Sequence, residues 1–99
     1  VTNYKQTAHT AVGASATPID AGAGSTYGSF YLRVVSPAPD STVNLETSPD
    51  GTTWTVKASV KGDGWGYANS DHRTRQARSN VTSLGTGAAP LSAIVTCYP

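Results

Sequence analysis

STVNLETSPDGTTWTVKASV, Ser41 to Val60, is the stretch in which strand alternation and turn chemistry specify each other. In its first arm Val43, Leu45 and Thr47 alternate with Asn44, Glu46 and Ser48. In the second, Trp54, Val56, Ala58 and Val60 alternate with Thr55, Lys57, Ser59 and Lys61. A period of two marks strands with one face buried. Between the arms, Pro49 presets φ for the first corner of a type I turn, Asp50 fits the second and Gly51 tolerates positive φ. The expectation is a β-hairpin defined by Leu45, Trp54, Val56, Pro49, Asp50 and Gly51. Holding the apolar residues on one face pairs Leu45 with Trp54 and Val43 with Val56, across an even loop of roughly two or four residues. Trp54 then points into the core, and its truncation to alanine is expected to cost about 3–5 kcal/mol.

Working outward, 99 residues make one domain, which buries only about 60–65% of its unfolded surface. Charged residues are 13% of the chain, against a usual value of about 25%. Ser and Thr fill 25 positions and Gly ten, a composition that favours strands over helices. A net charge of +1 offers no electrostatic basis for binding nucleic acid. So few charges defend the surface weakly against association, which suits a subunit of an assembly. Cys97 is the sole cysteine, so an intrachain disulfide is impossible and a small buried hydrophobe is expected. No apolar run reaches the roughly 18 residues of a membrane helix. Val1 is what removal of an initiator Met would leave, and no signal-peptide pattern opens the chain, so cytoplasmic synthesis is expected.

Residues 1–29 are rich in Ala, Gly, Ser and Thr and offer little to bury. Tyr4, Thr10 to Val12 and Ile19 could each anchor a short strand. Edge strands and an extended N-terminal arm are both open readings, with the β-sandwich core at 30–99. Phe30 to Val35 is a strand with Phe30, Leu32 and Val34 on one face and Tyr31, Arg33 and Val35 on the other, and bulk on both faces suggests a central strand or one whose outer face meets something. Lys61 to Asp71 reads as a long glycine-punctuated loop with a short strand around Trp65 and Tyr67. His72 to Leu84 resumes extended structure with Arg73, Arg75 and Ala77 on one face. After a turn at Gly85 to Pro90, Leu91 to Tyr98 closes the chain, with Leu91, Ala93, Val95 and Cys97 alternating against Ser92, Ile94, Thr96 and Tyr98. The expected fold is all-β, an antiparallel β-sandwich of about six or seven short strands, immunoglobulin-like or jelly-roll-like.

Catalytic equipment is thin. His9 and His72 lack the spacing to carboxylates that metal sites favour. Ser70, Asp71 and His72 are adjacent, and neighbours on a strand point to opposite faces. The carboxylates of Asp20, Asp40, Asp50, Asp63 and Asp71 sit where turns need capping. The expectation is no enzyme, no metal and no cofactor. Trp65 and Tyr67 fit three roles: a cap on the core, a protein interface, or a stacking platform for a sugar. Arg73, Arg75 and Arg78 form a basic cluster that fits either a solvated face or an interface. Together with Tyr4 these five residues are the candidate interface. Asn80-Val81-Thr82 matches a glycosylation sequon, a triplet that chance supplies often.

The string NLETSPDGTTWTVKASV, followed by RSNVTSL and TGAAPLSAIVTC, resembles small structural proteins of tailed bacteriophages across roughly residues 30 to 98. That resemblance implies a virion protein, a capsid decoration or cement subunit binding the outside of an assembled shell. Its partners would be the major capsid protein and copies of itself, with no nucleic acid or membrane involved. Under this reading Trp65, Tyr67, Arg73 and Arg75 make subunit contacts and residues 1–29 form a reaching arm. Two alternatives stand beside it: a carbohydrate-binding or adhesion module using Trp65 and Tyr67, and a tail or fibre component of the same kind of particle.

Overall fold

The computed structural model describes residues 3–9, 12–13, 18–20, 27–36, 39–85 and 91–98, and for residues 3 and 70–74 the backbone alone. The described residues form eight strands: β1 (Asn3–His9), β2 (Ile19–Asp20), β3 (Tyr27–Val35), β4 (Thr42–Ser48), β5 (Thr55–Lys61), β6 (Gly64–Thr74), β7 (Gln76–Ser83) and β8 (Leu91–Tyr98). No helix occurs among the described residues, and so none long and apolar enough to cross a membrane.

The strands form two antiparallel sheets, ordered β1-β8-β3-β6 and β2-β7-β4-β5. Their pairings nest: β4 with β5, β3 with β6, β2 with β7 and β1 with β8. The chain is one long hairpin doubled back at the loop after Ser48, then rolled so that alternate rungs fall in alternate sheets. This is the jelly-roll form of the antiparallel sandwich. The hairpin at residues 41–60 is therefore the innermost rung of the whole ribbon.

Burial follows the alternation in β3 and β8. Phe30, Leu32 and Val34 are buried from β3, and Leu91, Ala93, Val95 and Cys97 from β8, against Val43, Leu45 and Val81 of the opposite sheet. The Cys97 thiol is pushed up to about 12 by that burial. β1 lies along β8 as an edge strand, from Asn3 opposite Cys97 to His9 opposite Leu91. β2 lies along β7 at an edge of the other sheet. Val12 and Gly13 form a bend that bridges to Val81, whereas Thr10, Ala11 and the expected turn at 86–90 lie outside the described residues.

The turn chemistry of the central hairpin is present, but the expected register is not. The Asp50 carboxylate accepts the Thr52 and Thr53 N–H groups at 2.8 Å each and the Ser48 hydroxyl at 3.0 Å. Those bonds, led by the Thr53 N–H, lower the Asp50 pKa. Gly51 takes a φ of 81°. The loop, however, runs through Trp54, and Val43 faces Val60 while Leu45 faces Ala58. Between Leu45 and Glu46 the ladder slips, because Lys57 is an extra residue on β5. A one-residue bulge reverses the face presented by the rest of the strand. Val60 and Ala58 consequently point inward, and Trp54 and Val56 point outward. Val56 is 53% exposed and Trp54 half-buried, so neither is the core residue expected of it. An edge strand tolerates such a bulge because only one neighbour must follow it.

Of the long loop expected at 61–71 only Gly62 and Asp63 turn, and the short strand expected around Trp65 and Tyr67 is present but extends over eleven residues as β6. Gly62 makes the turn into it, with a φ of 72° and its N–H donated to the Ser41 carbonyl at 2.7 Å. Gly66 lies on the inner face, where a Cβ would come within 3.0 Å of Val60 Cγ2. Its missing side chain lets the two sheets close at this edge. Extended structure from His72 is broken at Arg75, which separates β6 from β7. Arg75 and Ala77 do not share a solvent face: Arg75 is exposed and Ala77 fully buried.

Candidate functional site: an aromatic sheet face

The register of the first sheet places side chains from four strands on one outer face. One row runs Tyr4 on β1, Thr96 on β8, Tyr31 on β3 and Tyr67 on β6; the next runs Gln6, Ile94, Arg33 and Trp65. Tyr98 lies beyond the first row, beside Ser29 and Asn69. Tyr31 is the hub. Its ring centre is 4.8 Å from that of Tyr67, 6.0 Å from Trp65 and 6.1 Å from Tyr98. Trp65 is 65% exposed, Tyr67 45% and Tyr4 71%, with Val35 also exposed on the same face.

Short polar links hold the face in shape. The Tyr67 hydroxyl donates to Asn69 Oδ1 at 2.6 Å, and Ser29 Oγ donates to the same oxygen at 2.9 Å. The Arg33 guanidinium donates to the carbonyls of Gly64 at 2.8 Å and Val34 at 2.9 Å, with Asp63 at 3.5 Å. Arg33 therefore clamps the start of β6, which carries Trp65 and Tyr67, to β3.

The expected site residues thus separate. Tyr4, Trp65 and Tyr67 share this face, and the reading of Trp65 and Tyr67 as a core cap is corrected, since both rings stand in solvent. Arg78 belongs to the other sheet and Arg75 to the bend between β6 and β7, and the two pair with different carboxylates. Arg75 Nε donates to Asp20 Oδ1 at 3.0 Å, which ties β2 to the start of β7. Arg78 Nε donates to Glu46 Oε1 at 2.9 Å, and its guanidinium lies 4.0 Å over the Trp54 ring. Asn80 Nδ2 donates to Glu46 Oε2 at 2.8 Å, so the sequon asparagine is engaged within the sheet. The side chains of Arg73, Ser70, Asp71 and His72 lie outside the described residues.

Tyr31 and Tyr98 were missing from the candidates. Each stands at an outward position of an alternating strand, which is a readable signal. That they meet Trp65 and Tyr67 is a consequence of β3 lying between β8 and β6. Elsewhere, His9 Nε2 lies 2.7 Å from Ser79 Oγ between the sheets, both residues buried, and burial lowers the His9 pKa. Among the described residues no group of three or more His, Cys, Asp or Glu is placed to hold a metal ion.

No protein-family model matches the chain, and no curated protein matches it in sequence. Solved structures do share its fold. The SPBc2 prophage-derived protein YomS superposes with a TM-score of 0.60 at 7% identity, over 97% of this chain and 95% of that one. The Yersinia pseudotuberculosis-derived mitogen superposes with a TM-score of 0.62 at 14% identity, over 100% and 88%. At such identities the likeness is one of fold, and a fold shared by a prophage protein and a mitogen does not choose a function.

Proposed function

We propose that this chain is a non-catalytic structural subunit of a bacteriophage particle, a decoration or cement protein that binds the outside of the assembled shell. The outer face of the β1-β8-β3-β6 sheet meets the major capsid protein. The observation that carries this reading is the aromatic cluster around Tyr31, left in solvent on a small, weakly charged sandwich. Tyr and Trp are enriched where proteins meet, and they are the residues whose loss weakens interfaces most. Further support comes from the sequence resemblance across residues 30 to 98 and from the prophage origin of YomS.

The relief of the face favours a protein partner over a sugar. A flat platform needs rings lying parallel to the sheet and to one another. Here Tyr31 meets Tyr67 at 55° and Tyr98 at 79° between ring planes, and only Trp65 approaches it in plane, at 34°. Edge-to-face packing makes ridges and notches, a surface suited to another protein's side chains.

The test is co-sedimentation of the purified chain with purified shells of the encoding phage, comparing Tyr31→Ala and Trp65→Ala with wild type. Each substitution should weaken binding at least tenfold, as expected of hot-spot aromatics worth about 2 kcal/mol or more. Wild-type binding by both variants would sink the proposal. Retention on a glycan array, lost in the same variants, would replace it with the adhesion reading, and recovery of the chain in tails rather than heads would move it along the particle.

A further inference from the structure

Sheet edges expose unpaired N–H and C=O groups, and natural proteins blunt them with short strands, lysines, bulges or inward-pointing charges. Three of the four edges here carry such a device. β2 is two residues long. β5 is kinked by its bulge at Lys57 and ends on Lys61. β1 carries Lys5 opposite Val95, exposed at the rim between the sheets beside Thr7 and Ile19. β6 carries such devices in its second half alone, with Asp71 and Arg73 in its sequence and an irregular ladder after Asn69; its first half has none. Its stretch GWGYAN, 64–69, has no charge and no proline, and keeps unbroken register with β3 from Gly64 opposite Val34 to Asn69 opposite Ser29. The ladder becomes irregular only beyond Asn69.

We infer that the free edge of β6 pairs with the same edge of a second copy of this chain, antiparallel about a two-fold axis. The two first sheets then become one continuous sheet. A second copy is the fitting occupant because an antiparallel edge is its own complement: the two-fold sets each free N–H against a carbonyl of the mate. Side chains impose the register. Trp65, Tyr67 and Asn69 all point outward, so an alignment setting odd-numbered residues against odd-numbered ones keeps the aromatic rings of both copies on one side. Cross-strand neighbours in such a pair lie about 5 Å apart, within ring contact. In the single chain Trp65 packs on Tyr31 toward β3, and among the described residues no strand lies on its other side. Pairing supplies the missing neighbour and fuses two aromatic faces into one. The inference stands on the edge itself and is independent of what the face binds.

Sedimentation velocity on the full chain over a wide concentration range tests it. Wild type should approach twice the 10.2 kDa chain mass as concentration rises. Trp65→Lys and Tyr67→Lys, each placing the missing lysine at an exposed position of the edge, should weaken association at least tenfold while far-UV circular dichroism is retained. Tyr98→Lys changes the face two strands away from the edge and should leave the dimer intact. Hydrogen exchange on wild type provides a measurement that needs no variant: amides of 64–69 should gain protection with concentration, and those of β5 should not. A chain that stays monomeric at its highest soluble concentration overturns the inference. So does a dimer that Tyr98→Lys abolishes and Trp65→Lys spares, which would mean stacking face to face, or a dimer in which residues 64–69 exchange as in the monomer.

Discussion

The two outer faces of this sandwich use aromatic residues in opposite ways. On the β2-β7-β4-β5 sheet, Trp54 lies under the Arg78 guanidinium, Arg78 and Asn80 both donate to Glu46, and the Glu46 side chain is only 7% exposed. Each of these groups is answered by a neighbour in the same sheet. On the β1-β8-β3-β6 sheet, Tyr31, Trp65, Tyr67 and Tyr98 lean on one another and still leave much of their surface in water. The first arrangement stabilises the chain; the second leaves interaction surface unused. A similar count of strands can thus yield a face that closes on itself and one that is open to a partner.

The contrast breaks most readily at Arg78. Arg78→Ala strips the nearly buried Glu46 of a charged donor and uncovers Trp54, and is expected to destabilise by roughly 2–3 kcal/mol. For a domain of this size that lowers the melting temperature by about 10–20 °C, measurable by calorimetry. Should the melt be unchanged, the second sheet's outer face is no more structural than the first. Trp54→Ala comes next, at about 1–2 kcal/mol by denaturant titration. This is less than a core tryptophan would lose, because the ring is half-buried and contributes a cation–π contact of about 0.5–1 kcal/mol.

Acidification addresses the layer shared by both faces. His9 is buried and its pKa lies below the ordinary 6.5, so the unfolded chain takes up a proton first. Stability from this group is complete above about 6.5 and is lost as pH falls through the folded value. Asp50, also depressed, acts in a lower window, beginning near 3.8 and extending downward. His9→Gln should flatten the upper window in pH-dependent unfolding; an unaltered profile would assign it to other groups. The smallest effect is expected at Trp65. Trp65→Ala should change stability by no more than about 0.5 kcal/mol, although it removes a large ring. A larger loss would mean that the open face is structural after all.

Much of the fold was legible. The alternation in Phe30 to Val35 and Leu91 to Tyr98 named the buried residues of β8 and of β3 from Phe30 onward, though not Tyr27 at its start, because these are inner strands of one sheet with a neighbour on each side to hold the ladder regular. The composition pointed to an all-β sandwich. At β5 the same rule misplaced Trp54 and Val56, because an edge strand accommodated Lys57 as an extra residue and inverted everything before it. Glycines misled at β6. Gly64 and Gly66 read as loop punctuation, yet at Gly66 the opposing sheet's Val60 leaves little room for a side chain, and the residues between and after them, Trp65 and Tyr67, follow a strict outward alternation. Of the candidate site, Tyr4, Trp65 and Tyr67 were visible one by one, while Tyr31 and Tyr98 were not connected to them.

The linear chain determined which residues prefer strands, which of them face inward along a regular ladder, and where the ribbon doubles back, since these depend on local backbone preference and a period of two. Only the tertiary structure decided that the ribbon rolls into nested rungs, that a single bulge turns Trp54 outward beneath Arg78, and that aromatic residues from β3, β6 and β8 come together on one face. The physical reason is that neighbours across a sheet are chosen by strand order and register, which are properties of the whole packed ribbon rather than of any one segment.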